Sequence, residues 1–320
     1  MKVGIIGFGS IGERHAQNAQ RLGHEIHVFR TGNSSKFTKT SSEDFDFHFE
    51  LEAFLSLPLE CMIICNPTHL HAEFITYSIA RSIPFFVEKP IASTLKEAAI
   101  ISEALAKSPI SNCAGYMMRY DESIIKIKEL LTSGVIGTVT TGIAHWSSYL
   151  PDWHPWEDYS TGYAAQKEMG GGLALTCSHE IDTLRFLFGE PSAVSANSNS
   201  VQTLKTNTDD YLDALITFKQ GISILLHIDW FQKTPQRTLS FLGDEGRLDW
   251  DFFTREIKLS NHVTDTHTKY AFKADNNIMY QHILEDFLSS IQNKHSCKSE
   301  FEDARKTLEV CFQMLEGTNL

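Results

Sequence analysis

The chain is short of the features that mark secreted, membrane-spanning or nucleic-acid-binding proteins. Six cysteines in 320 residues are too sparse for a disulfide framework. Cys61 and Cys65 both lie in the strand-like CMIICNP, where four residues of extended chain span roughly 13 Å, too far for a bridge or a shared metal. Free, buried thiols are expected. No apolar run reaches the ~18 residues of a spanning helix. The opening stretch, MKVGIIGFGSIGERH, is interrupted by glycines and closed by Glu13 and Arg14 before a secretory core can form. The expectation is a cytoplasmic protein that engages no membrane. Basic charge is also scarce: 28 Lys+Arg against 40 Asp+Glu give a net −12, so a phosphate backbone finds no general attraction and no nucleic-acid partner is expected. What is present is 42% hydrophobic and 21% charged, a globular composition, at a length that suits two domains.

The first 120 residues alternate short β-branched runs with amphipathic segments. KVGIIGFG, HEIHVFR, CMIICN, IPFFVEKP and SNCAGYM read as strands, with helices at about Ile11 to Leu22, Thr68 to Arg81 and Thr94 to Lys107. Such alternation predicts a parallel, doubly wound sheet. From Asp121 the pattern changes. A helix (SIIKIKELLTSG) leads to the strand TVTTGIAHWSS and a long loop, and after a helix at about Leu173 to Leu187 strands dominate until two closing helices. The fold class predicted is α/β: residues 1–120 a dinucleotide-binding domain, residues 121–320 an α+β domain on a large, mostly antiparallel open sheet.

Gly7-Phe8-Gly9-Ser10-Ile11-Gly12 is a G-x-G-x-x-G directly after the first strand and opening a helix. Gly7 would make the turn, Gly9 would admit a pyrophosphate, and Gly12 would let helix and strand pack closely, with the helix N-terminus facing the anion. Eighteen residues after Gly12, where an Asp or Glu would hold the ribose of NAD, the run is Val28-Phe29-Arg30-Thr31-Gly32-Asn33-Ser34. Arg30, with Thr31 or Ser34, suits a 2′-phosphate, so NADP is preferred over NAD. Glu88-Lys89-Pro90 follows the fourth strand and Asn66-Pro67-Thr68-His69-Leu70-His71 the third, both at the carboxyl edge where ligands of parallel sheets collect.

At these residues the sequence resembles the Gfo/Idh/MocA family of oxidoreductases. The resemblance runs through GFGSIG, CNPTHLHAE, EKP, GYMMRYDES, GGG followed by His179 and Asp182, and the closing EDARKTLEV helix. It implies a Rossmann domain, a sheet domain whose face often mediates oligomerisation (homodimer or homotetramer), and hydride transfer at a carbon of a sugar, amino sugar, nucleotide sugar or polyol. It places Lys89 beside nicotinamide and substrate, where an ammonium stabilises alkoxide charge and relays a proton. It places His179, with Asp182 one turn on, as a proton-handling pair. Coenzyme contacts are expected from Gly7, Phe8, Gly9, Ser10, Ile11, Gly12, Arg30, Thr31, Asn66, Pro67, Thr68, His71, Glu88 and Lys89, and from Arg119, which in the family contacts coenzyme or braces the hinge. Many relatives carry an Asp about one turn before the His; Leu175 and Thr176 stand there instead, which leaves the proton path open. No metal site is expected.

The loop Tyr149 to Tyr159 carries two of the five tryptophans, and aromatic faces suit carbohydrate rings. Trp153, His154, Trp156 and Tyr163 are the expected substrate contacts beside Lys89, His179 and Asp182, with Asp158 a further hydroxyl reader. The loop looks like the family branch associated with bacterial surface polysaccharides. Two other readings stay open: glycoside cleavage through transient oxidation on a tightly held coenzyme, and a coenzyme-binding regulator without turnover. Residues 1–120 hold 11 Lys+Arg and 12 Asp+Glu, a net −1, whereas 121–320 hold 17 and 28, a net −11. A neutral or lightly charged sugar is therefore favoured over a highly phosphorylated one.

Overall fold

The computed structural model describes residues 1–31, 45–153, 155 and 157–317. The chain forms two compact units, Met1–Met117 with Asn277–Lys306, and Met118–Asn276 with the stretch from Thr307. The C-terminal return differs from a division at residue 120, and the cause is local packing against the first helix, described below.

In the first unit the elements are β1 (Lys2–Ile6), α1 (Ser10–Arg21), β2 (Glu25–Phe29), β3 (Asp46–His48), α2 (Leu51–Leu55), β4 (Cys61–Ile64), α3 (His71–Ala80), β5 (Phe85–Val87), α4 (Leu95–Lys107) and β6 (Asn112–Ala114). The strands form one parallel sheet in the order β3-β2-β1-β4-β5-β6. β1, β4 and β5 are almost wholly buried, Ile5, Ile63 and Phe86 among them at 0% exposure, as continuous apolar runs between helical layers require. The strand order reverses between β1 and β4, so a crevice opens at their carboxyl ends. All six cysteines are free, and five are buried; burial pushes the Cys61 thiol up to about 12, so it is inert at neutral pH.

The second unit holds α5 (Glu122–Thr132), β7 (Val139–Ser147), α6 (Leu173–Thr176), α7 (Ser178–Phe188), β8 (Pro191–Asn199), β9 (Tyr211–Phe218), β10 (Ser223–Asp229), β11 (Gln236–Gly243), β12 (Gly246–Asp251), β13 (Glu256–Asn261) and β14 (Thr266–Ala271). Its eight strands run β14-β13-β12-β11-β7-β10-β9-β8, antiparallel except for the β7/β10 pair. Alternation is clean in β9, where Leu212, Ala214, Ile216 and Phe218 are buried and Leu215 is exposed. The inner face packs on helices: Phe188 of α7 meets Phe218 and Phe241 at ring-centroid distances of 5.4 and 5.0 Å, and Trp250 donates to Ser123 of α5 at 2.8 Å. The helix expected from Leu173 to Leu187 is two, broken at Cys177.

Two helices close the chain, α8 (Asn277–Asn293) and α9 (Phe301–Glu316). α8 lies on α1: Asn18 and Asn277 exchange amide hydrogen bonds of 3.2 and 2.9 Å, and the Arg14 guanidinium stands 4.5 Å over the Tyr280 ring. That packing draws Asn277–Lys306 into the first unit.

At Gly12 an added Cβ would fall inside the carbonyl oxygen of Gly7. Gly12→Ala is therefore expected to cost about 1–3 kcal/mol through overpacking against backbone that cannot yield, read as a lower urea midpoint with an unchanged slope.

Candidate active site

The carboxyl edge of the parallel sheet gathers three loops. Gly7 ends β1 at φ +88°, and a Cβ there would stand 2.7 Å from the Asn66 amide nitrogen at the end of β4; only glycine lets these turns touch. Gly9 carries no such demand. Its φ is −85°, ordinary for any residue, and beyond its chain neighbours and its own helix no atom of the described residues lies within 4 Å of where its Cβ would stand. Glycine at this position keeps space open over the start of α1, which no side chain caps. An uncapped helix N-terminus with open space before it suits a pyrophosphate.

Partnerless polar atoms lie at the same edge. Asn66 Oδ1 and Arg30 Nε are buried with no hydrogen-bond partner among the described residues. The Arg30 guanidinium rests 5.0 and 5.6 Å from the ring centroids of Phe47 and Phe49, and no carboxylate among the described residues pairs with it. Phe8 packs edge-on to Phe45 and Phe47, Ser10 and Thr31 are exposed, and Ile11 is half-buried. Asn33 and Ser34 fall outside the described residues. These groups fit a dinucleotide carrying a ribose phosphate.

His71 holds the edge together and is not open to a ligand. It is 1% exposed, with Nδ1 3.0 Å from the Pro90 carbonyl and Nε2 2.8 Å from that of Asn66. Burial lowers its pKa, against the pull of the two carbonyls. Thr68 is buried and Pro67 exposed. Glu88 is likewise spoken for: His15, 0% exposed, lies 2.8 Å from its Oε1, and the Lys89 N–H donates to Oε2 at 3.2 Å. A Cβ on Gly115 would come within 2.8 Å of this carboxylate. The sequence reading missed His15, although it stands three residues beyond Gly12, one helical turn along α1. Lys89 follows on the half-buried β5 loop.

In the second unit the glycine turn precedes α6. Gly171 lies where the carbonyls of Ala164 and Gln166 crowd to 2.7 and 2.8 Å of a hypothetical Cβ, and Asp209 accepts the Leu173 N–H at 3.1 Å. His179 and Asp182 are both buried on α7, at 8% and 0% exposure. Asp182 is committed: it accepts Arg119 Nε and Nη2 at 2.7 and 2.6 Å and the Thr307 hydroxyl at 2.9 Å, with Arg185 Nη1 at 3.7 Å. Three hydrogen bonds and a nearby second guanidinium hold this carboxylate to its own unit. Arg119, expected at the coenzyme, is 5% exposed in this same bidentate pair. Thr176 is buried one turn before His179.

Trp153 is built into a wall of rings. Its indole donates to Ser148 Oγ at 2.6 Å and meets Trp146 and Trp230 edge-on at 5.4 and 6.1 Å. Asp158 caps Ser160 N–H at 3.0 Å. The Tyr163 hydroxyl is buried without a partner among the described residues, as a ligand-reading group would be. His154 and Trp156 lie outside the described residues.

A family model described as "Oxidoreductase family, NAD-binding Rossmann fold" matches residues 1–111, and one for the GFO/IDH/MocA C-terminal domain matches 124–249. The NADP(+)-dependent scyllo-inositol 2-dehydrogenase of Bacillus subtilis is 27% identical over 232 residues, 70% of this chain and 62% of that one. The 2,7-anhydro-N-acetylneuraminate hydratase of Escherichia coli is 24% identical over 208 residues, 63% of this chain and 54% of that one. The chain thus spans about half to three fifths of the curated relatives it matches. A levoglucosan dehydrogenase solved with NADH and levoglucosan superimposes with a TM-score of 0.85 at 19% identity, covering 99% of this chain and 97% of the other.

Two outcomes are expected. Gly9→Ala should leave thermal stability unchanged while weakening NADPH binding at least tenfold, about 1.4 kcal/mol, by isothermal titration. Asp182→Ala removes the bidentate carboxylate partner of the buried Arg119 and should cost about 3–5 kcal/mol in urea unfolding; a loss near zero would remove the anchor assigned to Asp182.

Proposed function

The chain belongs to the Gfo/Idh/MocA family of oxidoreductases, and from that premise we propose that it is an NADP-preferring dehydrogenase/reductase acting on a CH–OH carbon of a sugar or polyol. One observation carries the reading: the open space over Gly9 and the partnerless Asn66 oxygen lie on the sheet edge that also bears Lys89. When bound, the nicotinamide supplies or accepts the hydride. The protein's own groups do the rest. Lys89, anchored through the Glu88 and His15 contact, offers positive charge to the oxygen of the reacting carbon and holds its proton. His179 is the second proton-handling group, and the Tyr163 hydroxyl reads a substrate hydroxyl.

Asp182 and Arg119 act as positioning residues, since their charges neutralise one another in the interior of the second unit. Arg30 is the discriminator of the 2′-phosphate, its guanidinium lying over ring faces and paired with no carboxylate among the described residues. Within the substrate class, the Tyr149 to Tyr159 loop directs attention to amino and nucleotide-linked sugars of surface polysaccharides. The likeness to a hydratase acting on an anhydro sugar supports a second reading, in which transient oxidation drives an elimination without net redox. A further copy of the chain is expected against the outer sheet face, where Leu225 pairs laterally with Ile143 and Leu215, all three exposed. Free thiols and the absence, among the described residues, of a helix long and apolar enough to cross a membrane accord with a reducing cytoplasm.

The test is coenzyme turnover over a panel of polyols, sugars, amino sugars and nucleotide sugars. Lys89→Met is expected to lower kcat by about 10²-fold or more while NADPH still raises the Tm; turnover within a few-fold of wild type would refute the role. Arg30→Ala should cut kcat/KM at least tenfold with NADP, about 1.4 kcal/mol, and leave NAD little changed. A wild-type preference for NAD would overturn the Arg30 assignment.

A further inference from the structure

We propose that His145, His227 and Asp229 form a binding site for a zinc-class divalent metal ion on the outer face of the second sheet. The site arises from strand register. β7 and β10 pair in parallel with His145 opposite His227 and Ser147 opposite Asp229, and residues two apart on a strand share a face. Two imidazoles and a carboxylate therefore converge from adjacent strands. Each offers one ligand atom, and these atoms all lie within 4.8 Å of one another. His227 Nε2 is 2.9 Å from Asp229 Oδ2. Ser147 Oγ bridges two of the donors by hydrogen bonds, 2.6 Å from His145 Nε2 and 2.5 Å from Asp229 Oδ2, and so holds them together on this face.

A second feature points the same way. Asp213, opposite His227 on β9, lies 2.7 Å from His227 Nδ1. On binding, an ion would displace the proton that His227 Nε2 shares with Asp229, and the Asp213 carboxylate on Nδ1 would orient the ring, as outer carboxylates do for metal-bound histidines. The donor set, two imidazoles and one carboxylate, suits zinc and its neighbours over magnesium or calcium. The group Glu25, His27 and Asp46 does not compete. It meets the same distance criterion but offers one imidazole and two exposed carboxylates, Glu25 at 2.9 Å and Asp46 at 3.6 Å from the ring of His27, a poorer donor set for zinc than two imidazoles and a carboxylate. All donors of the proposed site come from one chain, so it is complete without a second copy.

The experiment is zinc titration calorimetry on the full-length, untagged, chelator-stripped protein, repeated with cobalt(II) to read the visible ligand-field bands of a tetrahedral site. The expected result is one ion per chain at micromolar affinity or tighter, lost in both His145→Ala and His227→Ala. Asp213→Asn, at an exposed position outside the donor set, should keep the stoichiometry and weaken affinity about 10–100-fold. The NADPH-induced rise in Tm should be the same in all variants. No saturable zinc binding, wild-type affinity retained in either histidine variant, or an unchanged Asp213→Asn would each overturn the proposal.

Discussion

The coenzyme edge depends on one buried contact, the 2.8 Å approach of His15 to the Glu88 carboxylate. It ties α1, which begins at the glycine turn, to the end of β5, where Lys89 begins. An imidazole at 0% exposure facing a carboxylate 14% exposed forms a strong hydrogen bond in a medium that screens it little. Removing either partner would strand the other. The pair is possible because Gly115 has no side chain where the carboxylate lies, and because Phe86, with its ring 4.8 Å from that of His15, shuts out water. The start of α1 and the loop that carries Lys89 are thereby joined by one buried contact.

The second unit solves a different problem with the same means. Asp182 is a fully buried carboxylate, and such a group persists when it is paired and hydrogen-bonded. Arg119 and Thr307 donate three hydrogen bonds to it, with the Arg185 guanidinium 3.7 Å away. Asp182 is thereby tied into the interior of its own unit. Glycine has a related but opposite use at positions 9 and 12. At Gly12 the space is already taken by backbone, whereas at Gly9 it is open among the described residues.

Much of this was legible in the sequence, and the rest was hidden for identifiable reasons. The G-x-G-x-x-G turn, the parallel sheet and the place of Lys89 at a strand end follow from local signals: glycine spacing, β-branched runs and the break before proline. The return of α8 onto α1 rests on Asn18 and Asn277, residues 259 apart, which no local pattern reveals. His15 and Glu88 are 73 apart and meet only once β1, β4 and β5 are aligned. Asp182 looked available because its helix period aligned it with His179, while its partners come from 63 and 125 positions away. The convergence of His145 with His227 needs the parallel β7/β10 register, an exception in an otherwise antiparallel sheet.

The central claim is that the glycine turn, the Cys65 to His71 loop and the Glu88 to Pro90 loop form a single coenzyme site. Hydrogen–deuterium exchange of the wild-type protein with and without NADPH tests it directly. The account predicts that NADPH slows exchange together at the start of α1, in the loop after β4 and around Lys89. Protection confined to one of these segments, or found only elsewhere in the chain, would contradict it.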